Sequence, residues 1–148
     1  MRIALSADHA GYELKNTLVA WLQEAGHETI DLGTNGPESV DYPDFGAQLA
    51  RAVSSGQAER GVAVCGSGIG ISIAVNRNPA CRCARVDDPL SAQLAREHND
   101  ANVIAFGARL MGPDMAKACV LAFIDTSFSG GRHQRRVDKL SHLLEDSD

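Results

Sequence analysis

The stretch "RGVAVCGSGIGISIAVNR", residues 60–77, decides the fold. A short apolar run bounded by Arg60 and a glycine reads as a strand over 60–66, buried on both faces. Glycines stand at 66, 68 and 70, and a short helix begins among them, over 69–77. A strand, a glycine turn and a helix with no spacer make the βα unit of a parallel sheet.

The alternation extends in both directions. "RIALSA" (2–7) reads as a first strand, and "YELKNTLVAWLQEAG" (12–26) as a helix with Leu14, Leu18 and Leu22 on one face. "HETIDLG" (27–33) is a second strand, and "DFGAQLARAVSSG" (44–56) a helix ending at a glycine. "CRCARV" (81–86) and "NVIAFG" (102–107) are strands four and five, separated by the helix "PLSAQLAREH" (89–98) with proline in its first turn. Helices follow over 113–128 and, after "SGGRHQ", over 135–146. The expectation is one domain over 1–148, an α/β three-layer α/β/α sandwich on a five-stranded parallel, Rossmann-like sheet. The longest loop, "GTNGPESVDYPD" (33–44), is polar and carries Tyr42 as a candidate lining residue.

Composition narrows the function. The chain has 148 residues, 44% apolar and 22% charged, as ordinary soluble domains do. A net charge of -5 argues against broad attraction to nucleic acid or acidic membrane, so any anion site must be a local basic cluster. The start, "MRIALSADHAGYELK", has no long apolar region, so no secretory peptide is expected, and no run is long enough to span a membrane. Cys81, Cys83 and Cys119 sit in apolar runs as small hydrophobes, and the five histidines are scattered. Neither metal nor cofactor is expected, and a reduced, cytoplasmic protein is the simplest reading.

In open parallel sheets ligands bind beyond the carboxyl ends of the strands. Those ends hold Asp8 and His9, then Cys65 with Gly66, Ser67, Gly68, Ile69 and Gly70, then Asp87 and Asp88, and finally Arg109. The glycine spacing fits neither dinucleotide nor triphosphate loops, and no Lys-Ser or Lys-Thr closes it. What remains is a turn of free N–H groups at a helix N-terminus, suited to an anion, or simply a tight turn. A cysteine there tends toward thiolate and can serve as nucleophile or base, although a lone buried cysteine is more often structural. Arg132 and Arg136, four apart in "GGRHQRRVDK", share a helical face and can grip a phosphate. His98 and Asn99 lie before strand five, at the amino end of the sheet, far from Cys65 in the same chain.

"DHAGYELK", "DYPDFG", "CGSGIGISIAVNR", "SAQLAREHNDANVIAFGAR" and "GGRHQRRV" together resemble, over nearly the full chain, the B-type ribose-5-phosphate isomerases and their relatives acting on galactose and allose 6-phosphates. The resemblance implies a three-layer α/β/α fold, a dimer or tetramer, and active sites lying between subunits. It implies Cys65 as the base moving a proton between C1 and C2, residues 66–70 as the cradle of the enediolate, and His98 as the acid/base that opens the sugar ring. Ser67 stands where many members carry threonine, which keeps the catalytic hydroxyl. Asp8, His9, Asn99, Arg109, Arg132 and Arg136 match substrate and phosphate contacts. Ile71 stands where one branch carries a catalytic glutamate. The implied activity is metal-independent isomerisation of ribose 5-phosphate and ribulose 5-phosphate, with a 6-phosphohexose as the alternative substrate. A ring-opening histidine is pointless for a tetrose 4-phosphate, which cannot close a furanose. A non-catalytic sugar-phosphate sensor would keep the arginines without an activated thiol. The last helix is expected to pack on a partner subunit.

Overall fold

A computed structural model describes residues 1–145. Strands β1 (Arg2–Ala7), β2 (Glu28–Asp31), β3 (Arg60–Cys65), β4 (Cys83–Arg85) and β5 (Val103–Gly107) alternate with helices α1 (Tyr12–Glu24), α2 (Tyr42–Ser54), α3 (Ile69–Asn76), α4 (Pro89–Asn99), α5 (Pro113–Asp125) and α6 (Arg132–Leu140). All neighbouring strands run parallel, in the order β2-β1-β3-β5-β4. The chain leaves β1 toward one edge and β3 toward the other, so a crevice opens between their carboxyl ends.

Strand pleating sorts the core into two layers. Ile3, Leu5, Val62, Val64, Ile104 and Phe106 face α1, α4 and α5. Ala4, Ala63, Cys65 and Ala105 face α2 and α3. The expected three-layer architecture therefore holds, with the smaller side chains on the second face.

Several boundaries differ from expectation. Helix α2 starts at Tyr42, not 44, because Pro43 falls in the first turn, where its missing N–H is harmless. Strand β4 is three residues long, because the Cys81 N–H turns away to the Asn78 carbonyl and the Arg82 N–H to Asn102 Oδ1. Helix α6 starts at Arg132 and ends at Leu140, so the expected span 135–146 is shifted; Asp146 lies outside the described residues. Glycines 130 and 131, with φ of 62° and 55°, set its entry.

One buried charge ties the first layer to the long loop. Lys15 on α1 is fully buried at 0% exposure. Its ammonium bonds Asp31 Oδ1 at 2.5 Å and Asn35 Oδ1 at 2.6 Å. Removing one member of a buried ion pair is costly, although the Asp31 side chain stays 32% exposed, which lessens the penalty. Lys15→Met is expected to lower the unfolding free energy by about 2 kcal/mol in urea titration; an unchanged midpoint would show the pair to be idle.

Candidate active site

Three strand ends build a cavity of about 290 Å³. From β1 come Asp8 and His9. The Asp8 carboxylate accepts the Ala10 N–H at 3.0 Å, turning the chain into α1. His9 Nδ1 accepts the Val40 N–H at 3.1 Å, so in the neutral ring the proton sits on Nε2. Loop and strand are thereby joined at the cavity rim.

From β3 come Cys65 and its turn. Gly68 is left-handed at φ 76°, and a Cβ there would meet the Phe106 backbone at 2.7 Å. Only glycine suits both demands. The turn brings the Gly68 N–H to Cys65 Sγ at 3.1 Å, the direction of hydrogen bonding that a thiolate needs. The Ser67 hydroxyl accepts the Ile69 N–H at 3.1 Å. Gly70 lies under the Tyr42 ring, which a Cβ would overlap at 2.7 Å. From β5 comes Arg109, whose N–H donates to the Gly66 carbonyl and whose guanidinium lies along Gly66.

Asp8, His9, Tyr42, Cys65, Gly66, Ser67, Gly70 and Arg109 thus meet in one cavity, together with Ala10 and Leu110, which the sequence did not single out. Gly68 lies beneath it against β5, and Ile69 is half exposed at the start of α3. The other candidates gather elsewhere. His98 and Asn99 end α4, at the amino end of β5, whereas Cys65 registers with Gly107 at its carboxyl end. The five residues of β5 put about 13 Å between those ends. Asn99 lines a separate groove with Cys83 and Leu140. His98 stacks on His133, ring centroids 4.4 Å apart. Loss of hydration pushes the His133 pKa down, and His98, Arg132 and Arg136 push it further against the opposing Glu97. His133 went unnoticed in sequence, although it sits within the arginine motif.

The remaining cysteines are held as thiols. Burial pushes Cys119 up to about 11, with Asp88 and Asp87 adding to it. Burial likewise raises Cys81 and, more strongly, Cys83, beside which Cys81 lies. Among the described residues, no group of three or more His, Cys, Asp or Glu is placed to hold a metal ion. No helix there is long and apolar enough to cross a membrane.

A switch-point cavity with a thiol, a cradle of N–H groups and a guanidinium suits a small oxyanionic substrate, and the relatives make the class definite: sugar-phosphate isomerases. The chain belongs to the Ribose/Galactose Isomerase family, whose profile matches residues 3–140. It is 46% identical to ribose-5-phosphate isomerase B of Escherichia coli over 142 residues, 96% of this chain and 95% of that one. It is 40% identical to a D-erythrulose-4-phosphate isomerase of Pectobacterium atrosepticum, over 96% of this chain and 94% of that one. The solved ribose-5-phosphate isomerase B of Clostridium thermocellum superposes with a TM-score of 0.97 at 45% identity, covering 100% of both chains.

In the folded protein iodoacetamide is expected to alkylate Cys65 before Cys81, Cys83 and Cys119, read by peptide mass mapping. Earlier modification of Cys83 or Cys119 would contradict the distinction between the thiols.

Proposed function

We propose that the chain interconverts ribose 5-phosphate and ribulose 5-phosphate through a cis-enediolate, with Cys65 as the base. The observation that carries this is the Gly68 N–H aimed at Cys65 Sγ, in a turn where the Ser67 and Gly70 N–H groups have no partner among the described residues. The thiolate removes the C2 proton, and the electron pair moves into a C1–C2 double bond as charge collects on O1. The unpartnered N–H groups within residues 66–70 stabilise that oxygen. Ser67 offers the hydroxyl for the proton that leaves O2 and arrives at O1. The Cys65 thiol then returns its proton to C1, which leaves atoms and charge balanced.

One chain holds only half of the machinery. His98, Asn99, Arg132 and Arg136 lie outside the cavity of Cys65. A homodimer in which His98 and Asn99 serve the cavity of a second copy supplies the missing ring-opening acid/base. Arg132 and Arg136 then hold the phosphate, while Arg109 serves its own chain's cavity. Exposed Ile69 and Ile73 on α3 and Leu90 and Leu94 on α4 offer apolar surface for such an assembly.

Ring opening also bears on substrate choice. Ribose 5-phosphate closes a furanose through its free O4; a tetrose 4-phosphate cannot. His98 has work to do on the first and none on the second. The erythrulose 4-phosphate relative makes this a necessary arm of the test.

The test is an isomerase assay on ribose 5-phosphate, allose 6-phosphate and erythrulose 4-phosphate. Wild type is expected to prefer the pentose, and Cys65→Ala to lose on the order of 10³-fold in kcat. Full activity in Cys65→Ala would refute the base assignment. Co-expressed Cys65→Ala and His98→Ala chains are expected to recover about a quarter of wild-type activity, since half of the dimers are mixed and each has one intact site. No recovery would refute sharing between subunits.

A further inference from the structure

We infer that Arg85 is a positioning residue for the Cys65 thiol, acting through the peptide unit between Ser67 and Gly68. The inference rests on the role proposed for Cys65. Arg85 ends β4, and β5 lies between that strand and β3. Its Nε donates to the Ser67 carbonyl at 2.8 Å. A terminal guanidinium nitrogen donates to Asp87 Oδ2, also at 2.8 Å, which orients the fork. Arg85 is not among the residues that line the cavity of Cys65.

The carbonyl and N–H of a trans peptide unit point to opposite sides. Arg85 holds the Ser67 carbonyl on one side, and the Gly68 N–H of the same unit meets Cys65 Sγ at 3.1 Å on the other. Without the clamp this unit would turn easily, because glycine tolerates most backbone dihedrals. A turned unit would face the sulphur with a carbonyl oxygen and repel the thiolate. The guanidinium also polarises the unit it holds, which strengthens the N–H as a donor. Backbone contacts with Phe106 and Gly107 fix where the turn lies; Arg85 fixes which way its peptide faces. No spacing rule marks this arginine, because the contact crosses 18 residues and an intervening strand.

Arg85→Met and Arg85→Lys separate positioning from stability. At pH 7, alkylation of Cys65 by iodoacetamide is expected to slow about tenfold in Arg85→Met. The kcat for ribose 5-phosphate should fall by a similar factor while KM holds. Arg85→Lys keeps a charged donor and is expected to return to within about threefold of wild type. Unchanged alkylation in folded Arg85→Met overturns the inference. So does equal slowing in both variants accompanied by equally lowered urea midpoints, which assigns Arg85 to stability alone. Should Arg85→Met fail to fold, Asp87→Ala leaves β4 intact and frees the guanidinium. It is expected to slow alkylation about threefold, and an unchanged rate overturns the inference equally. Retained isomerase activity in Cys65→Ala would instead end the proposed catalytic role while leaving the alkylation comparison standing, so the two ideas fail separately.

Discussion

The site depends on two backbones that touch. A Cβ on Gly68 would lie 2.7 Å from the Phe106 backbone, and one on Gly107 would lie 2.6 Å from the Ser67 backbone. Real side chains tolerate neither distance, so the turn after β3 can settle on the end of β5 only while both residues are glycine. That contact gives the thiol its donor. Were the turn lifted by the width of a methyl group, the Gly68 N–H would leave hydrogen-bond range of Cys65 Sγ. A third glycine extends the same logic, since Gly70 admits the Tyr42 ring over the start of α3.

The sheet's two faces support this arrangement unequally. Leu, Ile, Val and Phe fill the side of α1, α4 and α5, whereas alanines dominate the sheet under α2 and α3. Small side chains let the second pair of helices approach closely. Gly46 of α2 lies so near α3 that a Cβ would meet Ala74 Cβ at 2.7 Å. Pleat parity then places Cys65 on this tight face rather than among the bulky residues. Lys15 works from the other layer. By holding Asp31 and Asn35 it fixes the base of the loop whose Val40 N–H orients His9. The buried charge thus fixes a loop at the cavity rim, not only the core beneath it.

The fold was legible because β1, β3 and β5 are short apolar runs with turn residues at their ends, and the carboxyl-end rule then pointed to Asp8, Cys65 and Arg109. Helix ends were less legible where two signals compete. Pro43 reads as a loop breaker yet suits a first turn, and Gly130 and Gly131 read as loop while they launch α6 three residues early. The Arg85 clamp and the His98–His133 stack were hidden for another reason. Each joins segments distant in sequence, and only the strand order and the path of α6 bring them together. Resemblance to a family added the expectation that sites are shared between subunits, which no local pattern carries.

The separation of the candidate residues into two clusters has its own electrostatic logic. Helix α6 begins with Arg132, His133, Arg135 and Arg136, has no acidic residue in its first turn, and starts from a glycine with no side-chain cap. Cations at a helix N-terminus oppose its dipole, and the His133 and Gln134 N–H groups are held only by the Gly130 and Gly131 carbonyls. Loss of hydration lowers the His133 pKa most, and His98 stacked against it, Arg132 and Arg136 lower it further. Local stability alone would put an aspartate or serine there. Under the proposed function, a dianionic phosphate answers this crowding of positive charge by pairing the guanidiniums and offsetting the dipole. In the turn after Cys65 the donors are neutral backbone groups suited to an oxygen that is charged only transiently, with the Arg109 guanidinium beside Gly66. On the proposed reading, permanent-charge recognition and transient-charge stabilisation lie at opposite ends of one sheet. Under the proposed function, pairing of two copies is what brings them to the same sugar.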